Sequence, residues 1–340
     1  MNRPQELAAQ RVVTAQGRPD GVRASELLAG MRNRSVLVVG DLILDRYLYG
    51  DVDRISPEAP VPVLRVETEE ARPGGAANVA ANLAALGAIP LLVGCVGRDG
   101  AAEHLLDRLS EAGIETGGIV GLEDRCTTTK SRLVSKSHQL VRFDREVETP
   151  IAAEVEEVIL ELVDSALAHV HAVILEDYDK GVLTPGVIRG IVEKASDREV
   201  PVVVDPKHRN FFSYGGADVF KPNLREARIA LGEPTSPEDA HWLHNLRRRV
   251  GARNLLLTMG EAGMVLVDEE NVPTRLFATA RSVYDVSGAG DTVTAVLAAT
   301  LAAGGTVLEG AHLSNHAAGV GVGKSGVSTV TGGEILSALD

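Results

Sequence analysis

Positive charge is scarce in this 340-residue chain. Lys and Arg number 34 against 47 Asp and Glu, which leaves a formal net charge of −13. A nucleic-acid binder needs a basic stripe to neutralise phosphates, so that class is excluded as a leading reading. The three consecutive cations Arg247, Arg248 and Arg249 read as the solvated end of a helix. Cysteine is equally rare. Cys95 and Cys126 stand alone, outside any CxxC or Cys/His pattern, which removes disulfide scaffolding and structural zinc. No continuous apolar core occurs in the first 30 residues, as a secretory signal requires. The apolar stretch from Val293 to Ala303 is too short and too rich in Thr to span a bilayer. The expectation is a cytoplasmic protein with neither nucleic acid nor membrane as partner. Aromatic residues make up 3% and hydrophobic ones 44%, within the range of an ordinary globular protein long enough to bury a large core.

What the chain does contain is a repeated alternation. Residues 1–33 read as an N-terminal extension with one helix from Ala24 to Arg32. Continuous apolar runs follow at Val36–Asp41, Leu91–Val96, Ala172–Leu175, Val202–Asp205, Val219–Phe220 and Leu255–Thr258. Continuous rather than alternating apolarity marks strands buried on both faces, as in a parallel sheet covered by helices. Helical segments lie between them, at 76–86, 101–112, 152–168, 185–195, 224–231 and 237–250. The body, over 34–335, is therefore expected to be a doubly wound, mainly parallel α/β sheet. Two stretches, about 50–70 and 126–145, alternate polar and apolar residues instead, as in Val61-Pro-Val63-Leu-Arg-Val66. Period two suits antiparallel strands with one wet face. They predict a small β-sheet projecting from the body, as a lid over substrate, a dimer interface, or both.

The strongest chemical signal is Asp285-Val-Ser-Gly288-Ala289-Gly290-Asp291, which runs into a smooth helix. Gly-Ala-Gly at a helix start presents backbone N–H groups and the positive dipole end to an anion. A carboxylate directly behind such a turn suits general-base action on a hydroxyl whose target phosphate sits there. A Gly-rich turn with Asp291 merely in the first helical turn is the competing reading. Gly40-Asp41 ends the first strand, with Asp45 four residues on, at the strand end where α/β proteins bind ligands. Gly74-Gly75-Ala-Ala-Asn78 opens a helix; the glycines admit a ligand to the backbone, and Asn78 can donate and accept to sugar hydroxyls. Asn223 and Glu226 share one face at a helix start and can reach phosphate oxygens or a metal's water shell; a capping box is the alternative. Two apparent motifs fail. Gly321-Val-Gly323-Lys-Ser325 lacks the first glycine of a P-loop, since position 318 is Ala318, and Gly94–Gly100 has the wrong spacing for a dinucleotide fingerprint.

The glycine pair with Asn78, the Asn223/Glu226 pair and the Gly288–Asp291 signature, in that order, resemble the ribokinase (PfkB) family of carbohydrate kinases over roughly Ser35 to Val330. The resemblance implies a ribokinase-like fold with a β-sheet lid, ATP as phosphoryl donor and Mg²⁺. Carried over, Asp291 is the base and Gly288, Ala289 and Gly290 hold the transferring phosphoryl group. Asn223 and Glu226 organise Mg²⁺ and phosphates, Thr258 and Gly260 border the triphosphate, and Asn315 and Gly319 line the adenine pocket. Asp285 corresponds to a monovalent-cation (K⁺) position of some members. Gly40–Tyr47, Arg54–Val63, Gln139–Asp144, Asp177–Gly181 and Val204–Lys207 are similar, more closely, to the kinase part of bacterial heptose enzymes. Those phosphorylate O1 of D-glycero-β-D-manno-heptose 7-phosphate, toward ADP-heptose and lipopolysaccharide core precursors. A sugar-phosphate acceptor would give Arg142 and Lys180 a role at the 7-phosphate, with Lys207 at either phosphate group, although Glu176-Asp177-Tyr178-Asp179 is acidic for such a site. Many heptose kinases carry a C-terminal nucleotidyltransferase domain; with Asp340 as the last residue, only the kinase activity is expected. Another sugar or sugar phosphate, or a non-catalytic nucleotide- or sugar-binding regulator on the same fold, are the alternatives. The intact Asp291 and glycines speak against the regulator. A homodimer through the lid sheet is also expected.

Overall fold

The computed structural model describes the backbone of residues 13–14 and residues 18–136, 138–268, 273–280 and 282–339. Most of the expected N-terminal extension therefore lies outside the described residues. Strand β1 (Val13–Thr14) leads to helix α1 (Gly21–Met31), whose N-terminus is capped by the Asp20 side chain accepting from Arg23 N. This helix is no loose appendage, because Ala24, Leu27, Leu28 and Met31 are buried in the core. The chain continues through β2 (Ser35–Gly40), β3 (Leu42–Ile55), β4 (Pro62–Gly75), α2 (Ala76–Ala85), β5 (Ile89–Gly97), α3 (Gly100–Glu111) and β6 (Ile119–Leu122). Next come β7 (Thr128–Ser135), β8 (His138–Arg145), α4 (Ala153–Leu167), β9 (Ala172–Glu176), α5 (Pro185–Ser196), β10 (Val202–Asp205) and β11 (Val219–Phe220). The last part holds α6 (Leu224–Leu231), α7 (Ala240–Val250), β12 (Asn254–Thr258), β13 (Met264–Val267), β14 (Thr274–Leu276), α8 (Ala289–Ala302), α9 (Val307–Gly321) and α10 (Gly332–Leu339).

Ten strands form one sheet in the order β1-β14-β13-β12-β11-β10-β9-β2-β5-β6. Its pairs are parallel except β12–β13 and β13–β14. The expected doubly wound body is thus present, with an antiparallel flank that short runs such as Met264–Val267 did not reveal. The continuous apolarity of its strands has a direct cause. Val36 and Val38 of β2 enter one core with α1, α2, α3, α8, α9 and α10, while Leu37 and Val39 enter a second with α4, α5 and α7. All four side chains are fully buried, which is why no polar residue interrupts them.

The small sheet has the order β4-β3-β7-β8. Its outer pairs are antiparallel, as expected, but its central pair β3–β7 is parallel, in register from Ile43↔Thr128 to Gly50↔Ser135. Both strands leave the body in the same direction, and period-two patterning alone cannot tell that from an antiparallel pairing. The sheet also reaches deeper than the alternating stretches indicated. β3 begins at Leu42, one residue after β2, and β4 runs straight into α2 at Gly75. No helix among the described residues is long and apolar enough to cross a membrane.

Candidate active site

The carboxyl ends of β9, β10, β11 and β12 converge on the N-terminus of α8, the position where open parallel sheets hold ligands. Gly288 precedes α8 with φ 78°, and a Cβ there would stand 2.8 Å from Asn78 Nδ2. Both the left-handed backbone and this contact require glycine. The turn places Asp291 in the first turn of α8, 5% exposed, where it meets two donors from distant segments. Asn78 Nδ2 donates to Oδ2 at 2.6 Å, and the Tyr178 hydroxyl donates to Oδ1 at 2.8 Å. Burial pushes the Asp291 carboxyl above its ordinary value and Asp205 adds to this, while Asn78, Tyr178 and Lys207 pull it back.

Behind Asp291 lie Glu176 and Asp205, with carboxylate oxygens of the three within 4.8 Å of one another. Lys221 answers this charge with Nζ 2.7 Å from Asp205 Oδ2. Burial, then Asp205 and Asp291, drive the Glu176 proton affinity far above the usual range. Among the described residues neither Glu176 oxygen has a hydrogen-bond partner, which favours the neutral acid there. Lys207 stacks its Nζ 4.7 Å from the centroid of Tyr178 and pairs with Glu226 at 2.6 Å. Burial works against the Lys207 charge, but Asp205 and Glu226 outweigh it and hold the ammonium protonated.

One cavity of about 680 Å³ takes in every residue expected to face nucleotide, Lys207, Asn223, Glu226, Thr258, Gly260, Asn315 and Gly319, together with Gly288, Ala289, Gly290 and Asp291. That size suits a cofactor or nucleotide. Asn223 and Glu226 form the capping box of α6, Asn223 Oδ1 accepting from Glu226 N and Glu226 Oε2 from Asn223 N, each at 2.8 Å. The structural alternative is therefore realised, and the same pair lines the cavity. Asn315 Nδ2 is bonded to the Phe277 carbonyl at 2.7 Å, which fixes the wall of α9.

The residues expected on the acceptor side are assembled differently. Asp41 is 1% exposed and its two oxygens accept from Tyr178 N, Lys180 N and Val182 N at 2.8–3.1 Å. It shapes the 177–182 loop through these three bonds, a structural duty beside the expected contact with substrate. Asn78 spends its amide NH₂ on Asp291. Asp45 pairs with Arg132 of β7, and a Cβ at Gly74 would overlap Asp45 Oδ2; Gly75 makes the turn into α2 with φ 58°. Arg142 and Lys180, expected at a substrate phosphate, both stand in one ion-pair chain. Arg142 meets Asp144 at 3.0 Å, Lys130 meets Asp144 at 3.5 Å and Glu146 at 3.8 Å, and Lys180 meets both Glu146 and Glu148 at 3.0 Å. Asp285 accepts from Ser287 N at 2.9 Å and Gly326 N at 3.1 Å, one backbone N–H on each oxygen.

Tyr178, Asp205, Lys221, Glu176 and Arg132 are site residues that carried no assigned catalytic role. Only Glu176 and Asp205 had a usable signal, as acids at the ends of apolar strands. The Tyr178–Asp291 contact joins positions 113 apart and has no local trace.

A family model described as pfkB family carbohydrate kinase matches residues 33–331. The bifunctional protein HldE of Caulobacter vibrioides is 47% identical over 309 residues, 89% of this chain and 63% of that protein. The HldE of Pelobacter propionicus is 43% identical over 91% of this chain and 64% of its own length. The chain thus spans less than two thirds of these relatives. Among solved structures, Arabidopsis thaliana ribokinase complexed with ribose and ATP superposes with a TM-score of 0.72 at 20% identity, covering 90% of this chain and 99% of that one. Escherichia coli phosphofructokinase-2 in complex with potassium gives 0.72 at 18%, covering 90% and 98%. At these identities the two structures establish a shared fold.

Proposed function

The chain belongs to the pfkB family of carbohydrate kinases, phosphotransferases acting on a sugar hydroxyl, and from that premise we propose that its reaction is ATP-dependent phosphorylation of D-glycero-β-D-manno-heptose 7-phosphate at O1. The observation that carries the catalytic assignment is Asp291, held by Asn78 and Tyr178 at the head of α8 and opening onto the nucleotide-sized cavity. The acceptor hydroxyl gives its proton to an Asp291 oxygen as its own oxygen forms the bond to the γ-phosphorus. The bond from that phosphorus to the β-phosphate oxygen breaks, and ADP leaves with the electron pair. Charge on the moving phosphoryl group is met by the α8 N-terminus at Gly288–Gly290 and by the Lys207 ammonium. Mg²⁺ fits beside Glu226, a cavity-lining carboxylate with one ammonium partner; Asn223 and Glu226 would hold its water shell, and the ion would neutralise nucleotide phosphates.

The heptose acceptor is supported by the lid and loop segments that resemble heptose kinases. The paired state of Arg142 and Lys180 favours a second reading, another sugar or sugar phosphate. ADP release in the presence of ATP and Mg²⁺, across heptose 7-phosphate, the neutral heptose, ribose and fructose 6-phosphate, separates them. Turnover confined to heptose 7-phosphate is the expected result; turnover on another acceptor alone would retire the heptose assignment. On this reading the enzyme works in the cytoplasm, in synthesis of ADP-heptose and lipopolysaccharide core precursors. Two copies pair through the lid, whose edge strand β8 exposes Leu140, Val141 and Phe143.

A further inference from the structure

Asn82 lies one turn beyond Asn78 on α2, 1% exposed and outside the cavity. Its Nδ2 donates to the Asn78 backbone carbonyl at 3.0 Å and to Asn78 Oδ1 at 3.2 Å, and its Oδ1 faces Thr292 Oγ1 at 3.3 Å. An amide side chain can be turned by 180° with little change of shape, so its orientation must come from its partners. Here the partners leave one solution. A backbone carbonyl only accepts, so the Asn82 NH₂ must face it. The second hydrogen of that NH₂ then points at Asn78, whose carbonyl oxygen must receive it. The Asn78 NH₂ is thereby turned the other way, onto Asp291 Oδ2.

We propose that Asn82 is a positioning residue for phosphoryl transfer, setting which end of the Asn78 amide the base meets. This rests on Asp291 being the base. Reversed, Asn78 would set its carbonyl oxygen against the carboxylate, and two acceptors 2.6 Å apart are compatible only if Asp291 carries a proton. A base already protonated cannot take the hydroxyl proton. The other groups around Asp291 remain in place: Glu176 and Asp205 behind it, Tyr178 on Oδ1, and Lys207 and Lys221 as the nearby cations.

Asn82→Asp is the sharp test, because it keeps the shape and replaces the donor with an acceptor. Buried against the Asn78 backbone carbonyl, the introduced acid gives its one O–H to that carbonyl, and with only lone pairs left it draws the Asn78 NH₂ toward itself and turns the Asn78 oxygen to Asp291. Two readouts are compared in the full chain. The first is the carboxyl ¹³C titration of Asp291, assigned by its loss in Asp291→Asn, which needs no acceptor sugar. It is expected to move upward by about one unit or more. The second is turnover on the acceptor identified by the panel, expected to fall about tenfold or more at neutral pH, with recovery toward higher pH and unchanged nucleotide affinity. In an Asn78→Ala background the same substitution should add nothing. An unshifted titration in folded Asn82→Asp protein overturns the proposal, as does an equal loss in the Asn78→Ala background. Should Asn82→Asp fail to fold, Asn82→Ala carries the test: it frees the Asn78 amide, and a wild-type titration with wild-type kcat would overturn the proposal equally. A shifted titration without turnover on any sugar would refute the kinase assignment and leave the positioning role intact.

Discussion

At the scale of single residues, the site depends on carboxylates whose protons are controlled by what surrounds them. Asp291→Asn keeps the shape and both hydrogen-bonding neighbours but removes the base. Turnover should fall by about 10²–10⁴-fold with nucleotide affinity unchanged, read by steady-state kinetics and calorimetry. A variant retaining most of the wild-type rate would remove Asp291 from the mechanism. Asp177 supports a prediction about stability. Burial, then the neighbouring Asp41, raise its carboxyl to about 7, against donors from Asp179 N and Tyr214 OH. An acid raised on folding stabilises the fold below its unfolded value near 4, and that contribution is lost as pH climbs toward 7. Asp177→Asn mimics the protonated form. Its stability relative to wild type should therefore be near zero at pH 4 and grow by roughly 4 kcal/mol by neutral pH, measured by urea unfolding across that range. A constant difference would show that Asp177 does not titrate there. Asp291 itself was legible in the sequence because its chemistry is local: three small residues, a helix start and a carboxylate. Tyr178 was not, since its contact with Asp291 depends on the loop after β9 and α8 meeting in space. The partners of Asp41 and Asn78 were hidden for the same reason. Their polar atoms were visible in the sequence, but the amides and carboxylate that use them were not.

Secondary elements followed their patterns most closely where burial on both faces makes apolarity continuous. β10, β11 and α6 occupy the spans expected from the sequence. Pairing direction was less accessible, as β3 and β7 show, because alternation reports which side is wet and says nothing of the neighbour's direction. α6 illustrates an element with two duties. Its capping box ties Asn223 to Glu226, and Glu226 also carries Lys207 into the cavity. Asn223→Ala should cost about 1 kcal/mol of stability, seen as a lower Tm. It should also weaken ADP binding severalfold by calorimetry while leaving the acceptor KM unchanged. Loss of stability with full ADP affinity would reduce the pair to a cap.

For the molecule as a whole, the exposed apolar residues of β8 should be covered by a second copy. Wild-type protein is expected to sediment as a dimer and Phe143→Glu as a monomer; identical sedimentation of both would refute pairing through this strand. The two sheets are joined with unusual economy. Between the last residue of β2 and the first of β3 stands Asp41 alone, and β4 passes into α2 with no residue between them. Asp41 is tied as well: its carbonyl accepts from Ala76 N at 3.0 Å, its N–H donates to Glu176 O at 3.2 Å, and its side chain holds three amides of the loop that carries Tyr178. The small sheet is thus mounted on a short, stiff axle rather than a tether. Any swing must be taken up by the torsions of a peptide or two, or by strand twist spread along β3 and β4. Were the rotation large enough to loosen Asp41, it would pull on the same loop that sets the Tyr178 hydroxyl against the base, so large openings of the sheet and a fully dressed Asp291 are mechanically opposed.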